Sequence, residues 1–150
     1  MVHDPTMNDF PITVRFPVHW GEMDAYGHVN NARYFTWFEA ARIAYMARVG
    51  LVSPEMQKPD GGVGPIVAAT NAEYLRPVVF PADVVVGARV SRIGTTSLNM
   101  EYAVDDAQTG VRYARGGAVL VTLRYPTYEK VAVPPEIRAA IEALEGRIFE

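Results

Sequence analysis

The sequence contains no cysteine and no apolar run long enough to span a membrane. The absence of cysteine excludes a disulfide framework, a thiolate nucleophile and any metal site built on thiolates. The first residues, MVHDPTMNDF, have neither the basic nor the apolar segment of a secretion leader. We therefore expect a cytoplasmic protein.

An excess of basic residues is also missing. The 150-residue chain has 14 Lys and Arg against 17 Asp and Glu, which gives a formal net charge of -3. The basic residues are scattered rather than clustered, so the chain has no general attraction to nucleic acid or to an anionic membrane.

Several catalytic motifs are absent as well. The sequence has no G-x-S-x-G nucleophile elbow and no H-E-x-x-H zinc pair. Its glycine cluster, Gly61 to Gly64, precedes a predicted strand, whereas a dinucleotide-binding loop follows one. Serine hydrolases, zinc proteases and Rossmann enzymes are thereby excluded.

What is present fits one domain over residues 1–150, with 1–11 as a loose N-terminal arm. Alternation from Ile12 to Val18 predicts a strand, and Pro17 places it at an edge or near its end. A helix is predicted to open near Asn31, capped by Asn30 or Asn31, and to end at Gly50. Its polar residues are spaced by three and form no broad polar face toward solvent, which favours a mostly buried helix. They are Arg33, Thr36, Glu39 and Arg42.

The second half of the chain alternates as β-structure. A loop from Ser53 to Gly64 leads into predicted strands Ile66–Leu75, Asp83–Ile93, 97–105 and Val111–Tyr125. The last three form an antiparallel meander, and Gly116-Gly117 would permit a bulge or bend in the last. Pro134-Pro135 opens a short amphipathic helix. This order predicts an α+β fold in which a five-stranded antiparallel sheet wraps around one long helix, with a short C-terminal helix.

Candidate chemistry is concentrated between Trp20 and Arg42, where acidic, imidazole and amide side chains precede the long helix. The run Asp24-Ala25-Tyr26-Gly27-His28-Val29-Asn30-Asn31-Ala32-Arg33-Tyr34, with Glu39 and Arg42 behind it, resembles the signature of hotdog-fold acyl-thioesterases of the 4-hydroxybenzoyl-CoA thioesterase class. Its His-Val-Asn-Asn run is closer to the long-chain acyl-CoA and acyl-carrier-protein thioesterases.

The resemblance implies a role for each part of the motif. Asp24 would be the catalytic carboxylate, acting as nucleophile or as general base, and Asn31 would offer its backbone N–H to the thioester carbonyl. A helix N-terminus suits that second role because its free N–H groups carry partial positive charge. No metal or other cofactor is expected. The family's pocket lies between subunits, which implies a homodimer or homotetramer in which Tyr34, Phe35 and Phe38 contact the acyl chain.

Each residue also has a structural interpretation. Asp24 is in a sequence typical of an Asx-turn, and His28 either orients Asp24 or water or is a hydrogen-bonded structural group. Glu22 is interpreted as a solvated edge charge. Glu39 is either a buried partner of Arg42 or an alternative catalytic carboxylate.

The sequence therefore predicts hydrolysis of acyl-CoA thioesters. The alternatives are an acyl-carrier-protein thioesterase and a non-catalytic acyl-binding protein with the same fold. An enzyme acting on coenzyme A needs cations for the nucleotide phosphates, and a carrier-protein enzyme needs a broader basic patch. The candidate cations are Arg33, Arg89, Arg92 and Arg124.

Overall fold

The structure is a computed structural model that describes residues 4–51 and 62–150. Within these ranges the chain forms two α-helices, six strands and two short 3-10 turns. In chain order the main elements are β1 (Ile12–Pro17), α1 (Arg33–Val49), β2 (Val63–Tyr74), β3 (Asp83–Ile93), β4 (Ser97–Asp106), β5 (Arg112–Arg124), β6 (Glu129–Lys130) and α2 (Pro135–Glu145).

The strands form one antiparallel sheet in the order β1-β3-β4-β5-β2, with the two-residue β6 added to β5. The predicted meander of β3, β4 and β5 is confirmed. Helix α1 packs on β1 and β3, and α2 packs beside it on β3. The predicted hotdog architecture is therefore confirmed, with β6 as an additional short strand.

The face of the sheet toward α1 supplies the core. Alternate residues of β3 from Val84 to Val90 and of β4 from Leu98 to Val104 are buried there. Each Val, Leu or Met side chain among them stabilises the fold by about 1.5–3 kcal/mol when fully removed from water. The same cluster includes Val18 near one end of the chain and Phe149 at the other. The described residues thus share one core.

Helix α1 has a buried and an exposed face, so the prediction of a mostly buried helix was wrong. The buried residues include Tyr34, Trp37, Phe38, Ala41 and Tyr45, at helical spacing. The opposite face contains apolar residues too, and these concealed the helical period in the sequence. They are Ala40, Ile43 and Ala47.

The end of α1 agrees with the prediction, whereas its start is capped differently. Gly50 ends the helix as predicted, with a left-handed φ of 84°. The helix begins at Arg33, and its N-cap residue, Ala32, makes no side-chain cap hydrogen bond. The side-chain oxygen of Asn30 instead accepts from the N–H of Ala32 at 3.0 Å and closes the turn before the helix.

The glycine pair in β5, which would permit a bulge or a bend, forms no bulge. Pairing with β2 and β4 is continuous through Gly116 and Gly117, and the register shift of β2 lies between Val67 and Ala69. A Cβ at Gly116 would lie 2.6 Å from Cε2 of Phe38. Gly116 is therefore needed for close packing of the Phe38 ring, which also stacks on Tyr102.

The N-terminal residues 4–11 lie against the outer face of the sheet, which differs from the expected loose arm. Phe10 is buried beside Gly87, and Asp4 forms an ion pair with Arg115 at 3.1 Å. Arg112 donates to the carbonyl oxygen of Pro5.

The loop predicted from Ser53 to Gly64 lies mostly outside the described residues, and Gly64 itself belongs to β2. Among the helices that the structure describes, none is long and apolar enough to cross a membrane.

Candidate active site

A tight turn between β1 and α1 places Asp24. The N–H of Asp24 donates to the carbonyl oxygen of His28 at 2.7 Å, and the N–H of Gly27 donates to that of Asp24 at 3.0 Å. Gly27 has a φ of 82°, a conformation that favours glycine. Met23 and Val29 close the turn with an isolated β-bridge.

The Asp24 carboxylate uses one oxygen in this turn. Its Oδ1 accepts from the N–H of Tyr26 at 2.8 Å, and the N–H of His28 lies 3.5 Å away. This is the Asx-turn geometry expected from the structural interpretation. In the described part of the chain, Oδ2 has no hydrogen-bond partner. The half-buried side chain therefore retains one oxygen for other contacts.

The turn before α1 contains an N–H group that forms no hydrogen bond to the described residues. The N–H of Asn30 donates to the carbonyl oxygen of Glu22 at 2.9 Å, and the N–H of Arg33 donates to that of Asn30 at 2.9 Å. Among residues 4–51 and 62–150, the N–H of Asn31 forms no hydrogen bond. It is thus available to a ligand at the helix N-terminus.

Glu22 connects the turn to the helix through hydrogen bonds. Its interpretation as a solvated edge charge was therefore wrong. Its Oε1 accepts from the N–H of His19 at 2.7 Å, and its Oε2 accepts from the indole N–H of Trp37 at 3.2 Å. Because Trp37 is buried in α1, this carboxylate holds the turn at a fixed position relative to the helix.

An open cavity of about 440 Å³ lies where the turn, the start of α1 and the end of β2 meet. It brings together four residues singled out from the sequence and adds Tyr74 and Arg76, which sequence reasoning missed. The lining residues are Asp24, His28, Val29, Asn31, Tyr34, Tyr74, Leu75, Arg76 and Pro77.

Other predicted site residues lie outside this lining. Phe35 is half-buried, and Phe38 is fully buried between Tyr102 and Gly116. Glu39 is on the exposed face of α1, with its side chain 64% exposed and 3.7 Å from the guanidinium of Arg42. A buried Glu39–Arg42 pair is therefore not formed.

The arginines chosen from the sequence are also separate from the cavity. Arg89 is paired with Glu101 on the outer face of the sheet, with Nε to Oε2 at 2.8 Å. Arg33, Arg92 and Arg124 are exposed and do not line the cavity. Arg76 does, and its position two residues after the end of β2 was the signal that could have identified it.

A larger depression of about 550 Å³ lies on the outer face of the sheet. Its arginines are matched by carboxylates: Arg115 lies 2.8 Å from Glu73, and Arg112 lies 2.8 Å from Asp105. We do not place the site there, because these cations are already neutralised within the chain.

The tyrosines of the cavity are donors at neutral pH. Burial raises the pKa of Tyr34, and burial raises the pKa of Tyr74. Both hydroxyls therefore stay protonated. Within the described ranges, no group of three or more His, Asp or Glu side chains is arranged to hold a metal ion.

Comparison with protein families identifies one match over most of the chain. The model of the thioesterase-like superfamily matches residues 18–141, which include the turn, α1 and every residue that lines the cavity.

Two solved structures are similar over nearly the whole chain. A thioesterase from Thermus thermophilus, solved with coenzyme A and zinc, is 37% identical; the match covers 93% of this chain and 97% of that one, with a TM-score of 0.79. A putative thioesterase from Pseudomonas aeruginosa is 38% identical, with 88% and 98% covered and a TM-score of 0.76. An uncharacterised protein of Bacillus subtilis is 29% identical over 104 residues, which are 69% of this chain and 67% of that protein.

Proposed function

Because the chain belongs to the thioesterase-like superfamily, we propose that it hydrolyses acyl-CoA thioesters to a free acid and coenzyme A through a carboxylate. The similar Thermus thermophilus thioesterase was solved with coenzyme A, which supports this choice of thiol carrier. The His-Val-Asn-Asn run at residues 28–31 further favours the branch that acts on long-chain acyl groups.

One observation carries the proposal. The cavity is lined both by Asp24, whose Oδ2 has no hydrogen-bond partner in the described residues, and by Asn31, whose N–H forms no hydrogen bond there. Hydrolysis of a thioester needs both kinds of group, because a base or nucleophile must act on the carbonyl carbon while a donor stabilises the charge on its oxygen.

The chemistry follows from these positions. In the general-base route, Oδ2 of Asp24 takes a proton from water as the water attacks the carbonyl carbon, and the N–H of Asn31 donates to the developing oxyanion. Collapse of this intermediate breaks the carbon–sulfur bond, and the proton passes to the departing thiolate. In the nucleophilic route, Oδ2 attacks the carbon itself and the carbon–sulfur bond breaks, which releases the thiolate of coenzyme A and leaves an acyl anhydride on Asp24. Water then hydrolyses this anhydride to the free acid and the Asp24 carboxylate, and one proton from the water passes to the thiolate.

The remaining cavity residues have supporting roles in this proposal. His28 orients Asp24 or the attacking water, and Tyr34 forms the wall beside the acyl group. Arg76, exposed at the rim, contacts the phosphates of coenzyme A. Phe35, near the start of α1, contacts the acyl chain. Phe38 does not, because its ring is fully buried in the core.

The proposal includes assembly into a homodimer or homotetramer. Strand β2 pairs with β5 on one side, and its other edge has no partner strand in the described part of the sheet. The cavity lies at the end of this strand, so a second chain paired along β2 would close the open side of the site.

A panel of acyl-CoA substrates of different chain length tests this function, with release of free thiol as the measurement. We expect turnover that increases with acyl chain length up to the capacity of the assembled pocket. Binding of acyl-CoA without thiol release would establish a non-catalytic acyl-binding protein instead. Thiol release from acylated acyl-carrier protein but not from acyl-CoA would show that the thiol carrier is acyl-carrier protein.

A further inference from the structure

Tyr74 connects the sheet to the start of α1. Its hydroxyl donates to the carbonyl oxygen of Asn31 at 2.8 Å, across 43 residues of sequence. Tyr74 is the last residue of β2 and lines the same cavity as Asp24.

The ring of Tyr74 is held independently of this hydrogen bond. It meets the ring of Tyr34 edge-on at 4.9 Å, and Tyr34 packs against Trp37 at 4.8 Å. Tyr34 and Trp37 are buried, whereas Tyr74 is 44% exposed. A phenylalanine would therefore keep the ring contact, and the hydroxyl adds the bond to Asn31.

The hydrogen bonds around Asn31 fix both of its peptide units. In the unit that follows Asn31, the N–H of Ala32 donates to the side chain of Asn30, and the carbonyl oxygen accepts from Tyr74. In the unit that precedes Asn31, the carbonyl oxygen of Asn30 accepts from the N–H of Arg33. The remaining group of these two units is the N–H of Asn31, which has no acceptor in the described residues.

We infer that Tyr74 is a positioning residue: by holding the carbonyl oxygen of Asn31 it directs the N–H of Asn31 toward the position where negative charge develops on the thioester oxygen. This inference rests on the proposed function. A donor that is held in place before the reaction stabilises the transition state more than one that must reorient. Loss of the hydrogen bond from Tyr74 should therefore have a larger effect on turnover than on substrate binding.

The variant Tyr74→Phe removes the hydroxyl and retains the ring. We expect kcat to fall roughly tenfold with KM changed by less than about twofold, because the lost interaction acts in the transition state. The shape of the pH profile should not change between pH 6 and 9, since a positioning hydroxyl transfers no proton. If turnover of Tyr74→Phe no longer rises or falls with pH where that of the wild type does, Tyr74 transfers a proton and the inference is overturned.

Tyr125 provides a matched control. Its hydroxyl also donates to a backbone carbonyl, that of Pro65, at 2.9 Å, and its ring also meets a second tyrosine edge-on, Tyr128 at 5.5 Å. Pro65 lies nine residues before Tyr74 on β2, roughly 30 Å away along an extended strand. Tyr125→Phe should lower the melting temperature as much as Tyr74→Phe and leave kcat unchanged. Equal kcat values in the two variants would overturn the inference.

A second measurement separates this inference from the proposed function. Backbone ¹⁵N relaxation reports the order of the Asn31 N–H without any substrate. We expect a lower order parameter at Asn31 in Tyr74→Phe and no change in Tyr125→Phe. If the wild-type protein releases no thiol, the proposed function fails while a reduced order parameter still supports the positioning role; an unchanged order parameter overturns it.

Discussion

Asp24 uses its two carboxylate oxygens for different purposes. Oδ1 accepts from the N–H of Tyr26 and holds the turn, and Oδ2 has no hydrogen-bond partner in the described residues. A structural and a chemical role are therefore compatible in one side chain. An amide in this place retains the acceptor for the turn and loses the basic and nucleophilic oxygen.

The variant Asp24→Asn separates these roles. We expect turnover of acyl-CoA to fall on the order of 10²–10⁴-fold, because an amide neither accepts a proton from water nor attacks a thioester. The melting temperature and the oligomeric state should stay close to those of the wild type. Thiol release under saturating substrate, together with thermal unfolding, provides the measurement.

Asp106→Asn is the matched control, since Asp106 holds a turn in the same way. Its Oδ1 accepts from the N–H groups of Gln108 and Thr109, each at 2.8 Å, and it does not line the cavity. This variant should leave turnover unchanged. Normal turnover in a folded Asp24→Asn protein would transfer the chemistry to Glu39 and make Glu39→Gln the next variant to assay.

Gly116 is a residue whose role lies in packing. Its missing side chain leaves space for the ring of Phe38, whose Cε2 would be 2.6 Å from an added Cβ. Gly116→Ala should therefore lower the free energy of unfolding by about 1–3 kcal/mol, the usual cost of overpacking a core. Denaturant unfolding measures this, with Gly21→Ala as the control, because a Cβ at Gly21 meets nothing within 4 Å. Equal stability of the two variants would contradict the packing argument.

Local sequence pointed to some of the residues that line this cavity and not to others. Asp24, His28, Asn31 and Tyr34 lie within a single continuous motif, and the structure brings them to one cavity. Tyr74 reaches that cavity through the pairing of β2 with β5 and the packing of the sheet on α1. A contact between residues that far apart depends on strand register, which alternation of residues along one strand does not reveal.

At the scale of elements, the turn between β4 and β5 contains a group whose ionisation contributes to stability. The hydroxyl of Tyr113 donates to Oδ2 of Asp106 at 2.7 Å. This hydrogen bond, assisted by the N–H groups of Thr109 and Gln108, lowers the pKa of Asp106 to about 2 from its ordinary 3.8. A lowered carboxyl pKa gives stability that is complete above pH 3.8 and is lost as the pH falls through about 2.

Tyr113→Phe tests this pH dependence. We expect the wild type to melt at a higher temperature than the variant at pH 5, and the difference to narrow as the pH approaches 2, because the wild type loses the contribution of the ionised carboxylate. Tyr113 remains a donor throughout, since burial raises its pKa to about 12. Tyr26→Phe, at a ring that is 89% exposed, is the control. A difference that does not vary with pH would show that Asp106 ionises independently of Tyr113.

The elements themselves could be predicted where one periodicity dominated. Strands β3 and β4 have alternate apolar residues because one face meets α1, and their predicted positions agree with the structure. The burial of helix α1 was predicted wrongly because Ala40, Ile43 and Ala47 lie on its exposed face, and apolar residues do not indicate solvent exposure in a sequence. The packing role of Gly116 was missed because it depends on the ring of Phe38, a tertiary contact that cannot be seen in the sequence.

For the whole molecule, the two edges of the sheet differ. Edge strand β1 has six residues and ends in Pro17, which cannot donate a ladder hydrogen bond. Edge strand β2 has twelve residues and exposes Ile66 and Val67, which are 43% and 39% exposed. Because β2 also contains a proline, Pro65, the difference between the two edges is their length: twelve residues offer more free backbone groups for pairing with another chain than six.

We therefore expect the wild type to sediment as a dimer or a tetramer, and the double variant Ile66→Lys with Val67→Lys to dissociate. Lysines on the β2 edge would bring like charges together in a pair of antiparallel strands, which we expect to weaken association roughly a hundredfold. Sedimentation velocity over a range of micromolar concentrations measures the change. If the second chain closes the cavity, thiol release should decrease as the protein dissociates.

Thr13→Lys adds a charge to the opposite edge and serves as the control, because Thr13 is an exposed residue of β1. It should leave both the sedimentation coefficient and the turnover as in the wild type. Dissociation by Thr13→Lys rather than by the β2 variant would move the interface to β1. A wild-type monomer with full turnover would show that one chain completes the site, and the open side of the cavity would then be the entrance for substrate.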